Sequence, residues 1–283
     1  MSQTPSPAAV SAEDVEAWRA WIGRVETHEE VLDPEALRRF AAAVGADLEV
    51  ERVQPPLAHW AFFLPVVAGS EIGPDGHPRR GGFLPPVTLP RRMFAAADMG
   101  FGARLRLGEP ARLTATIADV RHRAGKSGDL VFVEVDRAIT QGEETCVAER
   151  QTIVYRAEGG RTPAVEPRLQ ALAPGDMVWT PGPVDLFRFS AVTFNSHRIH
   201  YDLPYAREAE GYPGLVVHGP FTAARLHAFA EARAGRRLRT FAFRAQSPMF
   251  AGQPIRLTGG EAEGEVRAIR ADGTVGMTAT GEA

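Results

Sequence analysis

Apolar positions along this chain recur with two different periods, and the changes of period mark its elements. The runs "RLTATIADVRHR", "LVFVEVDRAI" and "TCVAERQTIVYR" are rich in β-branched residues and are joined by the turn clusters "AGKSGD" and "QGEE", a pattern that predicts an antiparallel meander. Near the C-terminus "PIRLTGGEAEG", "EVRAIRADG" and "TVGMTATGEA" repeat the plan with shorter strands and Gly or Asp-Gly punctuation. A helix precedes each meander. In the first half Asp33 is the N-cap, Pro34 lies in the first turn, "PEALRRFAAAV" follows and Gly45 ends it. In the second, "GPFTAARLHAFAEARAG" runs from Gly219 to Gly235 with apolar residues on most faces of its first turns, as in a helix buried inside other structure. One helix wrapped by one sheet, twice, is the implied α+β plan.

A short repeat supports duplication. "GEPARLT" (Gly108 to Thr114) and "GQPIRLT" (Gly252 to Thr258) match at five of seven positions, and they are half a chain apart. The Pro- and Gly-rich stretch 158–175 has no sustained period and reads as the connection between halves. This predicts an N-terminal unit over 1–160, a linker over 161–175 and a C-terminal unit over 176–283. The N-terminal unit carries an insertion, 51–100, with eight prolines and six glycines around "HWAFFLP" and "LPRRMF". A loop of that length in a compact domain is usually a functional covering, so a lid is expected there.

Composition narrows the function classes. Of 283 residues 44 % are hydrophobic and 24 % charged, an ordinary globular balance. The net charge of −3 gives no global positive field for nucleic acid or an anionic membrane, so an anionic ligand needs local arginines. Cys146, the only cysteine, is flanked by strand formers and reads as a packed thiol. The first residues lack a basic start and an apolar run, and no stretch approaches 18 uninterrupted apolar residues, which predicts a cytoplasmic protein.

The chemistry concentrates in "NSHRIHYD", residues 195–202. Three readings compete. His197 and His200 with Asp202 have metal-ligand chemistry, but no second ligand cluster accompanies them. A polar turn in which the imidazoles cap backbone groups is the structural alternative. The third makes His200 a general base and acid. It is favoured by the helix start at His218-Gly219-Pro220, whose free N–H groups stabilise developing negative charge and whose glycine lets a ligand approach.

The segment Asn195-Ser196-His197-Arg198-Ile199-His200, then five residues to Ala206, followed by Leu215-Val216-Val217-His218-Gly219, resembles the MaoC-like hydratase/dehydratase family. Its members have a hot-dog fold and a D-x-N-P-x-H-x(5)-[A/S] motif before an H-G at the central helix. The resemblance implies a double hot-dog and one site per chain. In that site His200 is the catalytic histidine, Ala206 the small residue, and Gly219 the donor that polarises a thioester carbonyl. Asn195 stands where the catalytic aspartate usually is, so it can orient water without taking its proton, with Asp202 a possible helper to His200. These departures, with Arg91-Arg92-Met93-Phe94, resemble the branch of mesaconyl-C4-CoA and itaconyl-CoA hydratases and fungal mitochondrial 3-hydroxyacyl thioester dehydratases.

The expected activity is hydration of an unsaturated dicarboxylyl-CoA, with an aliphatic 3-hydroxyacyl-CoA or -ACP dehydratase, a thioesterase or a non-catalytic acyl-CoA-binding module as alternatives. Arg198, Arg91 and Arg92 are candidates for a substrate carboxylate or the CoA phosphates. Tyr212 is a candidate for the acyl pocket, although an aromatic before Pro-Gly more often packs. No metal or cofactor is expected, and exposed sheet edges suggest a homodimer.

Overall fold

The structure is a computed structural model that describes residues 10–125, 128–157, 159–168 and 171–283. The first nine residues, the centre of the "AGKSGD" turn and part of the linker (158, 169 and 170) lie outside the described residues.

The N-terminal half contains α1 (Ala12–Arg19), β1 (Val25–Val31), α2 (Pro34–Val44), β2 (Arg91–Phe101), β3 (Pro110–Gly125), β4 (Gly128–Gln141) and β5 (Glu144–Arg156). The C-terminal half contains β6 (Met177–Trp179), α3 (Pro183–Val192), α4 (Leu203–Glu208), α5 (Gly219–Ala234), β7 (Thr240–Ala245), β8 (Ile255–Gly259), β9 (Glu265–Ile269) and β10 (Val275–Glu282). The strands form one antiparallel sheet in the order β1-β3-β4-β5-β2-β7-β10-β9-β8-β6. The order reads the same from both edges once β1, β3, β4, β5 and β2 are matched with β6, β8, β9, β10 and β7. The two expected sheets are therefore present as halves of one continuous sheet, joined where β2 pairs with β7 from Ala96↔Arg244 to Gly100↔Thr240.

The repeated heptads occupy matching places in this order. Gly108 and Gly252 both take a left-handed φ, +77° and +78°, which favours glycine, and each precedes a strand that buries its leucine, Leu113 or Leu257. The helix signals also hold. The Asp33 side chain accepts from the Glu35 and Ala36 N–H groups, and Gly45 at φ +69° closes α2. Helix α5 buries Phe221, Ala224, Leu226 and Phe229 in a core shared with Leu37 and Phe40 of α2, Phe241 of β7 and Met277 of β10. Among the described residues no helix is long and apolar enough to cross a membrane. Cys146 is fully buried, and burial raises its pKa, as expected for a packed thiol.

The insertion differs from its sequence reading at its end. Residues 91–101 form β2, the strand that joins the halves, rather than loop. Its "RRMFAAADMGF" pattern lacks apolar alternation because both of its edges are hydrogen-bonded and its partners, not its own periodicity, hold it extended.

Candidate active site

Helix α3 ends at Thr193, and the chain turns through Phe194, a non-glycine residue with φ +48°, into the "NSHRIH" segment. Asn195 Oδ1 accepts the His197 N–H at 3.0 Å, so its oxygen closes a local turn. Residues 198–200 then make one 3-10 turn, which buries Ile199 and His200. Beneath it lies a satellite cluster of Val165, Ile199, Ala206, Tyr212, Val216 and Phe250. Ala206 and Tyr212 are thus packing residues of the site's floor. Val165 belongs to the expected linker, whose Thr162 and Arg168 N–H groups also bond to Gly211 and Ala271.

His200 is held in one orientation. Its Nδ1 lies 2.7 Å from the Val216 carbonyl, which can only accept, so Nδ1 carries the proton and Nε2 keeps a free lone pair. One face stacks on His218 with 3.6 Å between centroids, and His218 Nε2 is 2.8 Å from Ser190 Oγ. His218 is the N-cap of α5, so its stacking places His200 beside the N-terminus of the buried helix. Gly219, the first residue, has no acceptor in the helix for its N–H. A Cβ at Gly219 would meet only the Phe94 carbonyl at 3.6 Å and Met277 Cε at 4.0 Å, ordinary contacts. Neither backbone angle nor crowding requires glycine here.

The lid expected over 51–100 reaches this segment through residues 73–78. The Arg198 N–H donates to the Asp75 carbonyl at 3.0 Å, and Ser196 Oγ donates to the Gly76 carbonyl. His77 Nδ1 lies 3.0 Å from Asp75 Oδ2, and its ring is 4.0 Å from that of His197. His197 in turn meets His200 edge-on at 5.3 Å. Four imidazoles, from His77 through His197 and His200 to His218, therefore form a continuous series between Asp75 and Ser190.

The series is kept neutral. Burial pushes His200 down to about 4, against the opposing effect of the Val216 bond, and His197 down to about 2. It lowers His77 and His218 as well, and in the second half of α5 it lowers His227 to about 3. Neutral His200 is ready to accept a proton. The same shifts predict acid sensitivity. Unfolded, a histidine binds a proton near pH 6.5; folded, His200 resists until about pH 4, His227 until about 3 and His197 until about 2. Stability is therefore full above about pH 6.5 and falls as pH drops, by about 1.4 kcal/mol per pH unit for each such group within its window. Chemical denaturation at pH 7, 6 and 5 should show this loss, and a flat profile would contradict neutral burial.

The remaining expected residues divide by their partners. The Arg198 guanidinium bonds Asp202 Oδ2 through Nε at 2.9 Å and Nη2 at 2.7 Å, donates to the Pro74 carbonyl at 3.0 Å, and covers the Tyr205 ring. Asp202 Oδ1 caps α4 at the Tyr205 N–H, 3.1 Å away. The pair thus ties Pro74 of the insertion to the start of α4, and both oxygens of Asp202 already accept hydrogen bonds there. Arg91 pairs with Glu210 at 3.0 Å, donates to the Glu210 carbonyl and lies over Tyr212. Arg92 faces Tyr155 across the β2–β5 ladder, has no carboxylate partner among the described residues, and disfavours protonation of His77 and His197 by its charge. Its charge also opposes the upward push of burial on the Tyr155 hydroxyl.

Sequence reading missed His77, Asp75, Ser190 and the stacking role of His218. "DGHP" offered a D-x-H spacing inside the insertion; Ser190 offered no signal. Among the described residues no group of three or more His, Cys, Asp or Glu is arranged to hold a metal ion.

The chain as a whole is similar to known proteins. The pattern of the family "Hydroxyacyl-thioester dehydratase type 2" matches residues 57–251, which include the 73–78 turn, the "NSHRIH" segment and α5. The mesaconyl-C(4)-CoA hydratase of Chloroflexus aurantiacus is 45 % identical over 273 residues, 93 % of this chain and 95 % of that protein. The crystal structure of HtdX of Mycobacterium tuberculosis superposes with a TM-score of 0.65 at 18 % identity, covering 92 % of this chain and all of that one. A second M. tuberculosis protein, described as having a double hot-dog fold, gives a TM-score of 0.51 at 11 % identity, over 92 % of this chain and 95 % of that one. With a family match over residues 57–251 and a palindromic sheet around the buried α5, the chain is a double hot-dog protein and belongs to the hydroxyacyl-thioester dehydratase type 2 family.

Proposed function

We propose that this protein is a hydro-lyase that adds water across the Cα=Cβ bond of mesaconyl-C4-CoA to give citramalyl-CoA. The observation that carries the reading is His200: its tautomer is fixed with Nε2 open, beside a glycine-started helix N-terminus, in a chain 45 % identical to a hydratase of that name. As the water oxygen bonds to Cβ, one of its protons passes to His200 Nε2. The π electrons move towards the thioester oxygen, where the Gly219 N–H stabilises the developing enolate. His200 then returns the proton to Cα, leaving the enzyme as it began. A cytoplasmic homodimer acting on an acyl-CoA without a cofactor is part of the same reading.

The substrate's free carboxylate sits on Cβ, the carbon that water attacks, so its charge opposes attack unless a cation faces it. We assign that role to Arg92 rather than to Arg198 or Arg91, because the latter two already hold carboxylates. Absorbance assays on mesaconyl-C4-CoA, itaconyl-CoA and crotonyl-CoA test the reading. Mesaconyl-C4-CoA is expected to react fastest, and Arg92→Gln to cut its kcat/KM by about 10- to 100-fold, the value of one charge-assisted contact, while leaving crotonyl-CoA turnover unchanged. Crotonyl-CoA hydrated by the unaltered protein as fast as mesaconyl-C4-CoA would instead favour a dehydratase of aliphatic 3-hydroxyacyl thioesters, the activity in the family's name.

A further inference from the structure

Hydration needs a base for one proton of the water and a fixed direction for the oxygen lone pair that attacks Cβ. A base at His200 meets the first need. Asn195, which precedes it by five residues, has its carboxamide oxygen turned onto the His197 N–H, which commits one of its lone pairs to the local turn. The insertion supplies another acceptor. In the Asp75-Gly76-His77 turn, Asp75 Oδ1 accepts the His77 N–H at 3.0 Å while Oδ2 holds His77 Nδ1 at 3.0 Å. A carboxylate only accepts, so Nδ1 carries the proton and Nε2 keeps its lone pair. His77 and His200 are thus prepared alike, one by a carboxylate and the other by a backbone carbonyl. Both belong to one series of rings, with His197 between them.

We propose that His77, oriented by Asp75, is the second group of the hydration site: its Nε2 accepts a hydrogen bond from the attacking water while His200 takes the other proton. This rests on the hydratase reading above. No proton moves to His77; the water's O–H bond to it stays intact in the hydroxyl of the product, and the single transferred proton cycles through His200. The groups around His77 agree with a neutral acceptor. Burial opposes protonation of the ring most, Asp75 attracts a proton towards it, and the Arg92 and Arg80 charges oppose it. The arrangement also links lid closure to chemistry. The acceptor arrives only when residues 73–78 are seated on Ser196 and Arg198.

His77→Gln and Asp75→Asn test this in the full chain, on whichever enoyl thioester the unaltered protein hydrates. Both variants should lose about 10²-fold or more in kcat with KM within about twofold, while a saturated acyl-CoA binds unchanged. In Asp75→Asn the amide can donate, which favours the other tautomer of His77. Imidazole-nitrogen NMR should therefore report Nδ1–H at His77 in the unaltered protein and its loss in that variant. A variant whose kcat is kept, or whose loss lies only in KM, overturns the proposal. So does an Nε2–H tautomer at His77 in the unaltered protein, and that spectrum decides the matter even if no enoyl thioester is hydrated, an outcome that would refute the hydratase reading separately.

Discussion

Replacing His200 by alanine should lower kcat on the best enoyl thioester by roughly 10²- to 10⁴-fold, the contribution of one positioned acid–base group. Acyl-CoA binding should persist, because the helix N-terminus at Gly219 and the arginine at 92 are untouched. Residual turnover above the uncatalysed rate is expected for the same reason: the carbonyl polarisation proposed for the Gly219 N–H is left in place. The Val216 carbonyl that fixes the His200 tautomer is backbone, so the fold itself, not another side chain, selects the reactive nitrogen. Steady-state kinetics, with calorimetric titration of a saturated acyl-CoA, measure both halves of the prediction. A variant that still hydrates at the unaltered rate would remove His200 from the mechanism.

Gly76→Ala should be nearly as damaging although it changes no reactive group. Gly76 has φ +88°, and a Cβ there would lie 1.9 Å from the Ser196 carbonyl oxygen, on the backbone of the catalytic segment itself. Neither side can yield without separating the 73–78 turn from residues 195–198. The left-handed conformation alone costs alanine about 1–2 kcal/mol. With the clash and the lost lid contacts, a fall in Tm of about 4–10 °C is expected, together with a loss of at least about tenfold in kcat. Gly82→Ala is the control. It lies in the same segment, has nothing within 4 Å of where the added methyl group would lie and needs no left-handed angle, so melting and kinetics should match the unaltered protein. Equal behaviour of the two variants would show that the lid is not seated as described.

Much of the scaffold was readable one element at a time, because its signals are local. Asp33 and Gly45 bracket α2 through bonds spanning at most five residues. The meanders carry their own turns, and α5 shows its burial in its composition. The histidine pair and the glycine helix start were readable as well, since "NSHRIHYD" and "VVHGP" lie on one short path that ends in the same buried turn. Strand β2 was not readable. Its three alanines and two arginines become extended only because β5 and β7 supply hydrogen-bond partners on either side. The arginines were equally ambiguous: nothing in "LPRRMF" or "SHRIH" tells which guanidinium a carboxylate elsewhere in the chain will claim.

The sequence by itself determined the helix-and-meander plan, the place of the histidine segment 195–202 and the family to which it points, all of which rest on spacing within a few tens of residues. Only the tertiary structure decided that two half-sheets fuse into one, that of Arg91, Arg92 and Arg198 it is Arg92 that has no carboxylate partner among the described residues, and that Asp75 and His77 meet a segment 120 residues away. The physical reason is common to all three. Pairing of a strand edge, an ion pair and an imidazole stack each depend on which surfaces folding brings within a few ångströms, and one-dimensional spacing carries no record of that.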